Sequence, residues 1–172
     1  MNENIIEFVG HHGTLSSNCK NIRKNNFRET ERGWLGKGVY FFDDDKELAR
    51  NWAIYKRRGN PSRIEVLECI IKTTPEKVLD VVDPKSKQSK YLNAFRENFF
   101  KTALKKERII NMDDRMLDGK VFDMVCELSG FSLVRNSTHT LTDRERELGI
   151  EFSHINNGVE LCVRDKEIIY FT

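Results

Sequence analysis

Apolar and polar positions along the chain divide it into strand-like ends with helical stretches between them. Residues 4–10 are rich in β-branched and aromatic side chains and read as a strand. Thr14, Ser16 and Ser17 offer hydroxyl caps for a short helix to about Asn25, with Cys19 and Ile22 on one face. Residues 26–37 are polar and glycine-bearing and form a loop. Gly38 to Phe42 is a short apolar strand. Asp43, Asp44 and Asp45 then cap a helix, where carboxylates favour the positive N-terminal end. That helix runs to about Arg58 with Leu48, Trp52 and Tyr55 on one side, and Gly59-Asn60-Pro61 stops it.

Arg63 to Lys72 alternates and predicts a half-buried strand, followed by another at Lys77 to Val82. Pro84 opens a helical region from about Gln88 to Ile110, with Leu92, Phe95, Phe99 and Leu104 at helical spacing. A second helix covers about Met116 to Leu128 and ends at Gly130. Phe131 to Arg135 is a strand. Asn136 to Asn157 is mostly polar, with a short strand at Ile150 to Ser153, and Gly158 to Arg164 and Glu167 to Phe171 are closing strands. No repeat or linker interrupts the pattern, so residues 1–172 are expected to form a single α+β domain.

Composition narrows the class. The chain has 172 residues, 38% of them hydrophobic, enough for one core. Its 29 basic and 27 acidic residues leave a net charge of +2, without the cationic excess typical of nucleic-acid binders. The N-terminus lacks a basic head followed by an apolar run, and no apolar stretch approaches the ~20 residues that span a bilayer. A cytoplasmic protein without membrane association is expected. Cys19, Cys69, Cys126 and Cys162 form no CxxC pair, so they read as reduced, buried thiols and no metal site is expected.

Three segments carry candidate chemistry: His11-His12-Gly13-Thr14, Gly36-Lys37-Gly38-Val39-Tyr40-Phe41-Phe42, and Gly158-Val159-Glu160-Leu161. Singly, each has a plain explanation. A His beside Gly is commonly a turn residue, and a Glu in a strand commonly faces solvent. GKG before an apolar run is neither a Walker A loop nor a dinucleotide fingerprint.

Together and in this order they resemble the poly(ADP-ribose) polymerase-like, His-Tyr-Glu branch of the ADP-ribosyltransferases. That branch has its His in HG[ST], its Tyr in GKG[IV]YF and its Glu at the start of a late strand. The matching residues are His12, Tyr40 and Glu160. The similarity covers residues 8–54 and 158–164. It implies an ADP-ribosyltransferase-like α+β fold, with two antiparallel sheets forming an NAD cleft and helices flanking it.

The resemblance also implies an activity: NAD⁺ is the co-substrate, and ADP-ribose passes singly to a macromolecule. Cleaving the nicotinamide–ribose bond develops oxocarbenium-like charge. A carboxylate beside that ribose stabilises it, and Glu160 is the candidate. His12 is expected to bind a ribose hydroxyl, the Gly13 backbone to hold the nicotinamide amide, and Tyr40 to pack on its ring. Thr14 and Trp52 complete the expected NAD-binding set, Trp52 as a second aromatic wall. Gly158 stands where arginine-modifying toxins carry Gln or Glu, which disfavours arginine as acceptor.

The acceptor is expected to approach through the loop from His139 to Asn157, which includes Arg144, Arg146 and His154. Basic clusters at Lys56-Arg57-Arg58 and Lys101 to Arg108 would favour an anionic polymer if they flank the cleft. Nucleic acid, RNA included, is placed ahead of protein. The resemblance further implies an intracellular bacterial toxin of a toxin–antitoxin or anti-phage system, held in check by an antitoxin protein. The alternatives are an NAD⁺ glycohydrolase with water as acceptor, an inactive transferase-like module, and a nucleic-acid-binding module without catalysis.

Overall fold

A computed structural model of the chain describes residues 4–57, 61–105, 114–151 and 153–172. Seven strands are present among the described residues: β1 (Ile6–Leu15), β2 (Val39–Asp43), β3 (Ile64–Thr73), β4 (Val78–Asp80), β5 (Leu133–Thr138), β6 (Gly158–Val163) and β7 (Ile169–Phe171). Five α-helices accompany them among the described residues: α1 (Ser16–Asn25), α2 (Lys46–Arg57), α3 (Lys87–Lys105), α4 (Asp114–Ser129) and α5 (Asp143–Glu147).

All seven strands belong to one sheet, in the order β4-β5-β6-β2-β1-β3-β7. The expectation of two antiparallel sheets is corrected in two respects. The sheet is continuous, and β4 and β5 pair in parallel. The parallel pair follows from the chain between them: α3 and α4 supply the long crossover that parallel neighbours require. The continuity is thin. β1 pairs with β3 through ten residue pairs, from Ile6↔Thr73 to Leu15↔Ile64. It pairs with β2 only at Gly10↔Asp43 and His11↔Phe42.

Three apolar clusters hold the layers. Phe41, Leu67, Cys69, Ile71 and Leu161 face α1 and Phe27 on one side. Val134 and Cys162 meet Leu35, Val121 and Val125 below α3 and α4. Phe42 packs on Leu48 and Ala49 of α2. Removing this much apolar surface from water is the main favourable term in folding. All four cysteines are buried and unpaired. No helix among the described residues is long and apolar enough to cross a membrane.

Local signals account for most boundaries. Asp45 accepts the Leu48 N–H at 2.8 Å and caps α2. By contrast α1 begins after Leu15 with no side-chain cap, because β1 runs without a break through His11, His12 and Thr14 into the helix. The expected strand at Ile150 to Ser153 does not form at 150, 151 or 153. Instead the segment carries α5, nucleated by a capping box between Thr142 and Glu145. The expected extension of α3 over residues 106–110 and the Gly59-Asn60 stop lie outside the described residues.

Candidate active site

Strand alternation sends His11 and His12 to opposite faces. A Cβ on Gly13 would meet Ala49 and Ala53, so its face of β1 lies under α2, and His11 shares that face. His11 is 5% exposed, and its Nε2 lies 3.3 Å from Glu68 Oε2 on β3. His12 turns the other way, with Phe27 and Phe41 edge-on at 5.0 and 5.7 Å. Its Nδ1–H donates to the Tyr40 carbonyl at 2.8 Å. A carbonyl only accepts, so the neutral ring has its proton on Nδ1 and Nε2 is its acceptor.

That hydrogen bond sits where the β1–β2 ladder stops. The Val9 carbonyl accepts from the Asp44 N–H at 2.7 Å, so odd residues of β1 direct their backbone groups toward β2. Gly13 has the same orientation one step past the last pair, His11↔Phe42. The gap between β1 and β2 therefore presents the Gly13 backbone and the His12 ring together.

Across the gap, Tyr40 is pinned by its hydroxyl. It donates to the Gly36 carbonyl at 2.7 Å and accepts the Leu35 N–H at 2.9 Å. Burial pushes its phenol far above the ordinary tyrosine range, so it stays neutral. The hydroxyl is spent on the loop, and the ring is what it offers to a ligand. Glu160 pairs with Phe42 on β2 and Asn136 on β5. It is only 8% exposed. Burial pushes its carboxyl up to about 7, against the pull of the Trp34 indole N–H, which donates to Oε2 at 2.6 Å.

His12, Gly13, Tyr40, Trp52 and Glu160 line a single cleft of about 630 Å³, within the range of ligand pockets, and His11 lines it as well. Thr14 is placed differently. It is buried, its hydroxyl accepts from the Asn18 amide at 3.3 Å, and it is not among the cleft-lining residues. The loop from His139 to Asn157 reaches the cleft, through His139, Thr140, Ser153, His154 and Asn156. His139 is held by Glu145 at 3.1 Å. The Glu145 carboxyl is lowered to about 2, first by the Thr142 N–H and then by His139. Arg146 ties the loop to α2 by donating to the Asn51 carbonyl at 3.1 Å. Of the two basic clusters, Lys56 lines the cleft, whereas Lys101 pairs with Glu97 on α3. Arg58 and residues 106–108 lie outside the described residues.

Several supporting residues carried no recognisable sequence signal. Trp34, the partner of Glu160, sits in a loop that reads only as polar. Asp123 on α4 accepts the Lys37 N–H at 2.7 Å and pairs with Arg164, locking the GKG turn to the helix below it. Asp123→Ala is expected to free that turn, raising KM for the ligand about tenfold with a smaller effect on kcat, as loss of a charge-assisted bond predicts. Steady-state kinetics would show it, and an unchanged KM would leave Asp123 with a folding role alone.

The Gly158 position also has a packing reason. A Cβ there would lie 2.3 Å from Leu48 Cδ1. A side chain two residues before Glu160 would have to displace the end of the Leu48 side chain. Comparison of the chain with family models, curated proteins and solved structures returned no match.

Proposed function

We propose that the protein is a mono-ADP-ribosyltransferase that binds NAD⁺ in the cleft, breaks the nicotinamide–ribose bond and passes ADP-ribose to a macromolecule. The observation that carries this reading is the convergence of His12, Tyr40 and a buried Glu160 on one cleft. The fold lends support in a coarser sense: β1, β2 and β6, which carry His12, Tyr40 and Glu160, are neighbours in the one sheet.

Each residue has a role that its geometry allows. The Gly13 backbone, directed into the gap, is suited to the carboxamide of nicotinamide, which both donates and accepts. Nε2 of His12 accepts from a ribose hydroxyl. The Tyr40 ring, fixed through its hydroxyl, gives the pyridine ring an apolar face. Ionised Glu160 stabilises the positive charge that builds on the ribose as nicotinamide leaves. The Trp34 N–H keeps that carboxylate aimed. The role of an intracellular toxin restrained by an antitoxin rests on the sequence resemblance alone.

Labelled NAD⁺ incubated with the protein and cell lysate, then divided among protease, RNase and DNase digestions, tests the reading. Nicotinamide release with label on a macromolecule supports it. Release with no labelled polymer points to a glycohydrolase, and no consumption of NAD⁺ overturns both. His12→Ala and Tyr40→Ala are each expected to weaken NAD⁺ binding roughly tenfold, the scale of one hydrogen bond or one packed ring. His11→Ala should weaken it less, since the HG[ST] register points to His12 and the His11 ring, although it also lines the cleft, is already engaged by Glu68. Calorimetry decides between them, and a larger defect in His11→Ala would reverse the assignment.

A further inference from the structure

α2 buries Leu48, Ala49 and Ala53 against the sheet but leaves two large aromatic rings in water. Trp52 is 39% exposed and lines the cleft; Tyr55 is 53% exposed, stands one turn further on and is not among the cleft-lining residues, although its neighbour Lys56 is. Their ring centroids are 6.0 Å apart at an interplanar angle of 31°. Each ring carries a cation: Lys56 Nζ is 5.7 Å from the Trp52 centroid and the Arg146 guanidinium 5.4 Å from that of Tyr55. Arg146 is held in place by the carbonyls of Asn51 and Leu141 and by an ion pair with Asp143, so Lys56 is the cation of the pair left to meet a phosphate.

The surroundings share this charge. Arg28, Arg32 and Lys56 line the cleft, and the carboxylate of Asp118 there is already engaged by Arg96 at 2.8 Å. The aromatic pair therefore runs outward from a cationic cleft rather than closing over it. A ligand that touches Tyr55 must extend beyond the space that a small molecule in the cleft occupies.

We propose that Trp52 and Tyr55 form a stacking ledge for the unpaired bases of a single-stranded nucleic acid, which feeds the acceptor toward Glu160. This rests on the transferase reading of the cleft. Aromatic rings receive any base by its π-face, and nearby cations meet the phosphates, so binding is tolerant of sequence and sensitive to salt. A duplex hides its base faces and is excluded. The ledge, not the near-neutral net charge, sets the preference.

The test is fluorescence anisotropy of the full chain with short labelled single strands of DNA and RNA and with the matching duplex. Single strands should bind more tightly than duplex. Tyr55→Ala should weaken them about tenfold, while Tyr55→Phe retains binding. Lys56→Ala should lower the salt dependence by about one phosphate contact. Tyr170→Ala is the control: Lys72 stands 5.7 Å over that ring, on the edge strand β7 away from the cleft, and binding should not change. Duplex binding as tight as single-strand binding, or no effect of Tyr55→Ala, overturns the proposal. So does label from NAD⁺ that survives both nucleases and is lost with protease. Nicotinamide release, followed separately, keeps the two claims apart. Release with unchanged Tyr55→Ala binding sinks the ledge and spares the transferase, whereas ledge-dependent binding without release does the reverse.

Discussion

Glu160→Gln is expected to lower turnover by about 10²–10³ while NAD⁺ affinity stays within a few-fold. The amide keeps the shape and an acceptor for Trp34 but lacks the charge, and an interaction made only in the transition state appears in kcat rather than in binding. The same substitution is expected to stabilise the empty protein above neutral pH. The Glu160 carboxyl moves from an ordinary 4.5 to about 7 on folding because it is buried. Below about 4.5 it is protonated in both the folded and unfolded chain and nothing is lost. Between the two values only the folded chain keeps the proton, so stability falls as pH rises. Above about 7 the full difference, about 3 kcal/mol, has been lost. Gln never ionises, so the variant should match the wild type near pH 4.5 and exceed it at pH 8, as urea unfolding at the two values would show. For the wild type, kcat/KM should rise with pH through about 7 in the free enzyme. A Gln variant with near-normal turnover would remove Glu160 from the chemistry and turn attention to Glu147, Glu151 and Glu167.

Gly13→Ala is expected to damage both stability and binding. The added methyl would lie 2.0 Å from the Ala49 carbonyl oxygen and 2.8 Å from the Ala53 Cβ. Those are backbone and stem atoms of α2, so no side-chain rotation relieves the contact and the helix must lift. Overpacking of this kind costs about 1–3 kcal/mol. Trp52 rides on α2, and the Gly13 backbone borders the cleft, so NAD⁺ binding should fall by more than tenfold. Thermal unfolding and calorimetry read the two effects. A variant of normal stability would show that α2 is less tightly seated than this contact implies.

The sequence exposed the parts of the fold governed by local rules. Alternation over Arg63 to Lys72 anticipated β3 to within a residue at each end, and the run of aspartates located the cap of α2. The segment from Asn136 to Asn157 was less legible. α5 has five residues and no buried side chain, so it leaves no hydrophobic period, and its only local sign is the Thr142–Glu145 capping box. Sheet continuity was hidden for a different reason. Which strands pair, and for how many residues, depends on contacts distant in sequence, and the two pairs joining β1 to β2 leave no mark in either strand. His12, Tyr40 and Glu160 were singled out by the resemblance of their three motifs to the His-Tyr-Glu family, and the structure brings them to one cleft. Trp34 and Asp123 were not, because a partner across 126 residues or a cap from a helix below is set by tertiary packing. Thr14 shows the limit of motif reasoning, since its hydroxyl is taken by α1.

The two-pair join between the half-sheets has a mechanical consequence. A β ladder resists shear and splay in proportion to the bonds that cross it, and here ten residue pairs flank one side of β1 but two hold the other. Relative rotation of the halves, β4-β5-β6-β2 and β1-β3-β7, is expected to concentrate at this seam, which beyond the two pairs is crossed by the Asp44 N–H to Val9 carbonyl bond and the His12 ring on the Tyr40 carbonyl. Compliance at that seam changes the spacing between Gly13 on one half and Glu160 on the other while each half keeps its own core. A ligand that spans both halves would stiffen the seam by bridging it, so the amides of His11 and Phe42 are where bound and free protein should differ most in hydrogen exchange.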